Sequence, residues 1–554
     1  MRIVRLCILL LIGGLLTACD RPTPNTAVAS AHPVATEAGL EILDSGGNAF
    51  DAAVAVSATL AVVEPYSSGL GGGGFWLLHE AATERNIMLD GRETAPTRAH
   101  RDMYLDEEGE VIEDLSVNGP LAAGVPGEPA ALAHLAKEYG RLSLSESLAP
   151  AIRAARDGFA VTPHYQRMAR FRLDVLRRSP AAAKVFLLDN EVPPLEHRIR
   201  QPDLAATLER LAREGHDGFY RGRLAERLVA ETRAAGGILS REDMSSYQVV
   251  EREPITGSYG DYRIISAAPP SSGGVALVTM LNILEDYELA QRPELERKHL
   301  TIEAMRRAYR DRAEYLGDPD YVEMDIEHLT SKAHAADLRK NIELEQAGDS
   351  SMLPTVTGSD EGRDTTHFSI LDSKGNRVAA TLSINYPFGS GFMPPGTGVL
   401  LNDEMDDFSA KPGVPNVYGL VGAEANAIEP GKRMLSSMSP TFVEHDDRLA
   451  ILGTPGGSRI ITMVLQGILG FVDGHDAQTI VGLPRYHHQY LPDQVQYEPQ
   501  ALTSEQQREL ASRGHVLTEL NDRYGNMQMV IRDRLKDKIE AASDPRGEGL
   551  AISR

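Results

Sequence analysis

From Ala35 to Val63 the chain is Ala-rich with helical spacing of its apolar positions, broken once at Ser45-Gly-Gly-Asn48. Paired glycines suit a C-cap, and Asn48 suits the start of a new helix, so the pattern predicts two helices. A glycine run, Gly69-Leu-Gly-Gly-Gly-Gly74, is followed by the apolar Phe75-Trp-Leu-Leu78, which reads as a strand. Amphipathic stretches at Leu204–Glu214 and Leu224–Ala235, and the helical runs Val275–Leu284 and Ile302–Tyr315, predict further helices. A second turn-rich cluster, Pro269-Pro-Ser-Ser-Gly-Gly274, precedes the third of them. Between about 335 and 363 charge density rises and periodicity weakens, as expected of a surface segment. Downstream, His367–Asp372 and Arg377–Ile384 are β-rich, and Phe442–Leu452 and Val516–Ile531 add strand candidates. Helix-rich first and strand-rich later, without a fixed repeat, predicts a layered α+β fold.

Composition changes this picture little. The 554 residues are 42% hydrophobic and 24% charged, as in an ordinary globular protein. The net charge of −23 and the lack of a Lys/Arg-rich run argue against a nucleic-acid partner. Any anionic ligand must therefore be captured by a local cation. The only cysteines, Cys7 and Cys19, exclude a disulfide framework.

The first residues carry a different message. Arg2 and Arg5 precede an apolar run from Leu6 to Leu16 and then Thr17-Ala18-Cys19, the layout of a signal peptide over residues 1–18. Cys19 after Leu-Thr-Ala resembles a bacterial lipobox, in which the thiol is acylated; an ordinary secretory signal is the alternative. The expectation is a periplasmic, lipid-anchored protein whose residues 19–28 form a tether.

No G-x-S-x-G elbow, no H-E-x-x-H and no Walker lysine is present. The adjacent His487 and His488 lack metal-site spacing and are expected to be structural, with no metal. The segment from Asp364 to Asn385 holds two β-rich runs around Ser373-Lys374-Gly375, which fits a three-residue hairpin loop with Gly at the left-handed position. If Asp372 pairs with Asn376, the register brings Thr365 opposite Ser383. Directly opposed side chains have Cβ atoms about 4.5–5.5 Å apart, close enough for two hydroxyls to interact. Spacing alone leaves two readings open, a nucleophile with its partner or an ordinary polar strand face.

Asp364-Thr-Thr-His-Phe-Ser369, Leu400-Leu-Asn-Asp-Glu-Met-Asp-Asp-Phe-Ser409, Lys432-Arg-Met-Leu-Ser-Ser-Met-Ser-Pro440 and Thr454-Pro-Gly-Gly-Ser-Arg459 resemble, in order, the signature blocks of the gamma-glutamyltranspeptidase (glutathione hydrolase) family. With Leu89-Asp-Gly-Arg-Glu-Thr-Ala-Pro96 and Ala541-Ala-Ser-Asp-Pro-Arg546, the resemblance runs from about Ala29 to Arg546. It implies an N-terminal-nucleophile hydrolase fold, a four-layer αββα sandwich. It also implies self-cleavage between Asp364 and Thr365, giving a large subunit (body 29–364) and a small catalytic one (365–554) that intertwine. A threonine hydroxyl is a poor nucleophile, but a free α-amine on the same residue is a nearby base, and cleavage creates it.

By the same resemblance, Thr365 is the nucleophile, Ser383 a hydroxyl partner, and Gly456 and Gly457 the oxyanion donors. Arg92, Ser436 and Ser437 would hold a substrate α-carboxylate, while Asn385, Glu404 and Asp407 would hold the α-ammonium at the opposite side of one pocket. Lys411–Val421 resembles a lid, with Tyr418 as a gate pairing with Asn385. The implied activity is cleavage of γ-glutamyl amides such as glutathione, with transfer to water or to amino-acid or peptide acceptors and no cofactor. Two alternatives remain: a glutaryl-type cephalosporin acylase of the same fold, and an uncleaved lipoprotein that binds glutathione or glutamate.

Overall fold

The computed structural model describes residues 25–350 and 365–554. The signal segment, Cys19 and Asp364 lie outside the described residues.

Two antiparallel sheets form the centre, and their strands are numbered here in chain order. β1 (Ala27–Ser30), β2 (Gly73–Glu80), β3 (Arg85–Gly91), β4 (Val250–Arg252), β5 (Ile255–Tyr259) and β6 (Tyr262–Ser266) precede Thr365. β7 (Thr366–Leu371), β8 (Arg377–Ser383), β9 (Thr441–Glu444), β10 (Arg448–Gly453), β11 (Gln528–Asp533), β12 (Lys538–Ser543) and β13 (Leu550–Ser553) follow it. The first sheet runs β13-β1-β7-β8-β2-β3-β4 and the second β12-β11-β10-β9-β6-β5.

Alternation along the strands sorts residues into layers, because successive side chains point to opposite faces. Ile265, Phe442, Ile451 and Val530 of the second sheet meet Ala27, Ala29, Leu77 and Ala379 of the first in a core between the sheets. Their neighbours Ile264, Val443, Ala450 and Leu452 face the other way, into a core shared with the helices Gly273–Glu285, Glu294–Tyr315 and Ile460–Val472. On the outer face of the first sheet, Trp76, Leu78, Phe368 and Val378 pack with the helices Pro33–Asp44 and Ala49–Val63. The result is the expected four-layer αββα sandwich. Each fully buried Leu, Ile, Val or Phe adds about 1.5–3 kcal/mol of hydrophobic stabilisation.

Ala49–Val63 is buried along its whole length. With no polar face to orient it, its start is fixed by a capping box: Asn48 accepts from the Asp51 N–H while the Asp51 carboxylate accepts from the Asn48 N–H. It ends at Glu64, whose carboxylate reaches the start of β7 at Thr366.

The expected tether is corrected at its end. Ala27 and Val28 are already buried in β1, paired with β7 on one side and β13 on the other, so the folded body begins before residue 29. The Phe442–Leu452 strand candidate is the hairpin β9–β10. In Val516–Ile531 only Leu517–Glu519 and the start of β11 are extended.

Candidate functional site

The β7–β8 hairpin has the expected register, Leu371 opposite Arg377 and Thr366 opposite Leu382. Gly375 in its loop has φ 91°. One step further on, the Thr365 and Ser383 hydroxyls stand 3.3 Å apart. Thr365 has φ 146°, a strained region for a β-branched residue that costs on the order of 1–3 kcal/mol.

The glycine run after the second helix lets this hairpin sit close. A Cβ on Gly72 would lie 2.1 Å from the Ser383 carbonyl oxygen, and one on Gly71 would lie 1.9 Å from that of Leu400. Next to Thr365, the Thr366 hydroxyl donates to Glu64 Oε2 at 2.7 Å. Burial pushes the Glu64 carboxyl up to about 7, against the pull of that hydrogen bond.

One cavity brings together Arg92, Thr365, Ser383, Asn385, Glu404, Asp407, Tyr418, Ser436, Ser437 and Gly457, ten residues singled out in the sequence. The charges within it are arranged differently from the expectation. Arg92, just past the end of β3, donates through Nη1 to Glu404 and through Nη2 to Asp407, with Glu93 3.7 Å away. Cation and acids are therefore in direct contact, not at opposite sides of the pocket. The reason is electrostatic: Arg92 is 1% exposed, and a buried guanidinium needs counter-charges at hand. Burial alone would lower its pKa, but Glu404, Asp407 and Glu93 outweigh it and hold the pKa above the ordinary value. Burial pushes Glu404 up to about 7, with Arg92 opposing and Asp407 reinforcing the rise.

Ser436 and Ser437 are braced from behind by the Pro269–Gly274 cluster. The Ser272 hydroxyl donates to the Ser436 carbonyl at 2.7 Å, and the Ser436 N–H donates to the Pro270 carbonyl at 2.8 Å. Asn385, at φ 70°, donates its N–H to Ser383 Oγ at 2.8 Å and its side-chain amide to the Asp403 carbonyl at 3.0 Å. Tyr418 does pair with Asn385, through the backbone: its hydroxyl donates to the Asn385 carbonyl at 2.9 Å. The Tyr418 ring also lies so near Gly457 that a Cβ there would be 2.7 Å from it.

Gly456 and Gly457 have φ 139° and 53° and open the turn leading into the Ile460–Val472 helix. Glycine adopts both angles without steric cost, and backbone N–H groups at such a turn favour a developing negative charge. Thr365 and Gly456 also line a second cavity, with Glu64, Arg523, Tyr524 and Glu548. The nucleophile candidate thus stands between two spaces. His487 and His488 are buried and engaged within the protein, His487 by Thr462 and Gln489 at 2.8 Å each and His488 by Asp493 at 3.1 Å.

Sequence reasoning missed Glu64, Glu93, Ser272, Tyr309 and Arg312. Tyr309 and Arg312 sit on one helix, where the hydroxyl of the first donates to the Ser458 carbonyl and the guanidinium of the second to Ser437 Oγ at 3.3 Å. Nothing in a helical Arg-rich pattern separates such an arginine from a surface one.

A threonine at the head of a central strand, between two antiparallel sheets sandwiched by helices, defines an N-terminal-nucleophile hydrolase. The chain belongs to the gamma-glutamyltranspeptidase family, whose sequence pattern matches residues 35–553. It is 44% identical over 545 residues to a glutathione hydrolase proenzyme of Pseudomonas sp. (strain A14), covering 95% of this chain and 94% of that one. It is 40% identical over 525 residues to the glutathione hydrolase proenzyme of Escherichia coli (strain K12), covering 94% and 90%. Among solved structures, the cephalosporin acylase from Bacillus halodurans superposes with a TM-score of 0.84 at 30% identity, over 96% of each chain.

Proposed function

We propose that this protein hydrolyses and transfers the γ-glutamyl group of compounds such as glutathione, after splitting its own chain between Asp364 and Thr365. The observation that carries the reading is the Thr365–Ser383 hydroxyl pair opening onto a cavity that holds both a buried arginine and two carboxylates. Such a cavity suits the zwitterionic head of an amino acid, whose side-chain acyl carbon would then lie at Thr365.

In maturation, Thr365 Oγ attacks the Asp364 carbonyl, the C–N bond breaks, and water hydrolyses the resulting ester. Cleavage abolishes the strained Thr365 φ, because the nitrogen becomes a free amine. In turnover that amine takes the Thr365 hydroxyl proton while Oγ bonds to the γ-carbonyl carbon. Ser383 holds the hydroxyl in place, and the Gly456–Gly457 backbone stabilises the oxyanion, a contribution of about 3–4 kcal/mol per donor. The proton passes to the leaving amine as its C–N bond breaks. Water, or an amino acid or peptide entering through the Glu64-lined cavity, then attacks the ester and frees Thr365. The α-ammonium is held by Glu404 and Asp407 with Asn385, and the α-carboxylate by Arg92, Ser436 and Ser437, with Tyr418 closing the lid. Processing yields chains 19–364 and 365–554, and the mature protein is tethered to a periplasmic membrane surface through acylated Cys19.

The likeness to a cephalosporin acylase favours a second reading, action on glutaryl amides. A glutaryl group has no α-ammonium, so Glu404 and Asp407 would serve there only as counter-charges to Arg92; two carboxylates against one guanidinium suit a substrate that brings a cation of its own, and the γ-glutamyl reading is preferred. The test is a denaturing gel of wild type and Thr365→Ala, with both γ-glutamyl- and glutaryl-p-nitroanilide as substrates. Two bands and γ-glutamyl turnover are expected of wild type, one band and none of the variant. A single wild-type band, or turnover of the glutaryl substrate alone, overturns the proposal.

A further inference from the structure

We infer that Arg312, on the Glu294–Tyr315 helix, is the cation that makes room for the substrate's α-carboxylate, acting through Ser437 and by its own charge. The inference rests on the γ-glutamyl reading of the cavity and adds a specificity-determining residue to it.

Charge balance leads there. Arg92 faces Glu404 and Asp407 directly, so its charge is already matched by two carboxylates. With these alone the cavity carries an excess of negative charge and would repel an incoming carboxylate. Arg312 is 5% exposed, and among the described residues it forms no direct salt bridge, Asp407 acting on it only at longer range. Its partners are two neutral hydroxyls, Ser272 Oγ at 3.0 Å from Nε and Ser437 Oγ at 3.3 Å from Nη2. A buried cation held only by hydroxyls is costly unless an anion approaches it. Counting Arg312, two cations stand against Glu404 and Asp407, and a zwitterionic head leaves that balance unchanged.

Hydrogen-bond direction supports the same role. A guanidinium can only donate, so Ser437 Oγ accepts from Arg312 and its own hydrogen is left to donate to a carboxylate. Arg312 thereby fixes the polarity of a serine on the cavity wall. Tyr309, three residues earlier and on the same helical face, holds the Ser458 carbonyl next to Gly457. One helix from the portion before Thr365 thus braces two parts of the site that come after it.

The test compares γ-glutamyl-p-nitroanilide with 4-aminobutyryl-p-nitroanilide, which has the same acyl chain and amine but no α-carboxylate, in wild type, Arg312→Lys and Arg312→Met. The expected result for Arg312→Met is a KM for the γ-glutamyl substrate raised on the order of 10–100-fold, with kcat changed far less and the 4-aminobutyryl substrate altered less than about twofold. Arg312→Lys, which keeps the charge, should fall between. Calorimetric binding of L-glutamate against 4-aminobutyrate gives the same comparison without turnover, so it tests Arg312 even if the γ-glutamyl activity is not found. Equal losses on both substrates, or unchanged preference for L-glutamate in Arg312→Lys and Arg312→Met, overturn the inference.

Discussion

Glu404 is subject to two opposed influences, burial that favours its neutral acid and the Arg92 guanidinium that favours its anion; burial wins, leaving its pKa near 7. The anion holds a substrate ammonium by charge as well as by a hydrogen bond, whereas the neutral acid offers a carbonyl oxygen alone and binds it far more weakly. Above about pH 7 the group is ionised and binding is complete; below it the anionic fraction falls about tenfold per pH unit. KM for a γ-glutamyl substrate should therefore rise steeply as pH drops from 7 to 5. In Glu404→Gln, whose amide oxygen accepts without titrating, the rise should flatten. KM profiles of both proteins over pH 5–9 check this, since titration of the Thr365 amine acts on kcat; parallel profiles would refute it. At this scale the sequence was readable wherever partners are set by local register. Thr365 meets Ser383 because a short loop fixes which residues oppose. Arg92 and Glu404 are brought together by the crossing of distant segments, a contact without a local signal, and their direct ion pair was not foreseen.

The helix Glu128–Glu138 starts with a fully buried glutamate whose carboxyl burial pushes up to about 8, with only the Gly69 backbone pulling it the other way. Unfolded, the same group titrates near 4.5. Below pH 4.5 both states hold the proton and it contributes no pH dependence. Between 4.5 and 8 the unfolded state releases it first, so stability declines as pH rises, and the loss is complete above 8. Glu128→Gln removes this liability and should be more stable than wild type at pH 8, by about 3–5 kcal/mol at most, and equal to it near pH 4.5. Denaturant titrations at the two pH values read the difference directly; a constant gap would contradict it. Among elements, the amphipathic helices announced themselves by period, whereas the first half of β1, Ala27 and Val28, was read as tether. Its Ala-Val-Ala-Ser sequence is small and weakly patterned, and it becomes a strand only because β7 and β13 flank it. The β9–β10 turn, His445-Asp-Asp447, lacks the Gly or Pro that marks most turns, so the two strands read as one.

Across the whole molecule, the proposed cut before Thr365 does not follow any spatial boundary. In the first sheet β1 lies between β13 and β7, and β8 lies beside β2, so strands from before and after the cut alternate. The second sheet crosses the same divide where β9 pairs with β6. Separating the two chains would break all four of these ladders and expose the core between the sheets, a cost far above that of parting an ordinary interface of roughly 1,600 Å². The chains should then behave as one cooperative unit although no bond joins them. Native gel filtration after dilution to nanomolar concentration is expected to give one peak containing both bands, and calorimetry one unfolding transition. Thr365→Ala, which stays a single chain, should share that single transition, because the ladders are the same in both. Two peaks, or a separate low-temperature transition in the cleaved protein alone, would mean that the portions before and after Thr365 fold apart, against the strand order of both sheets.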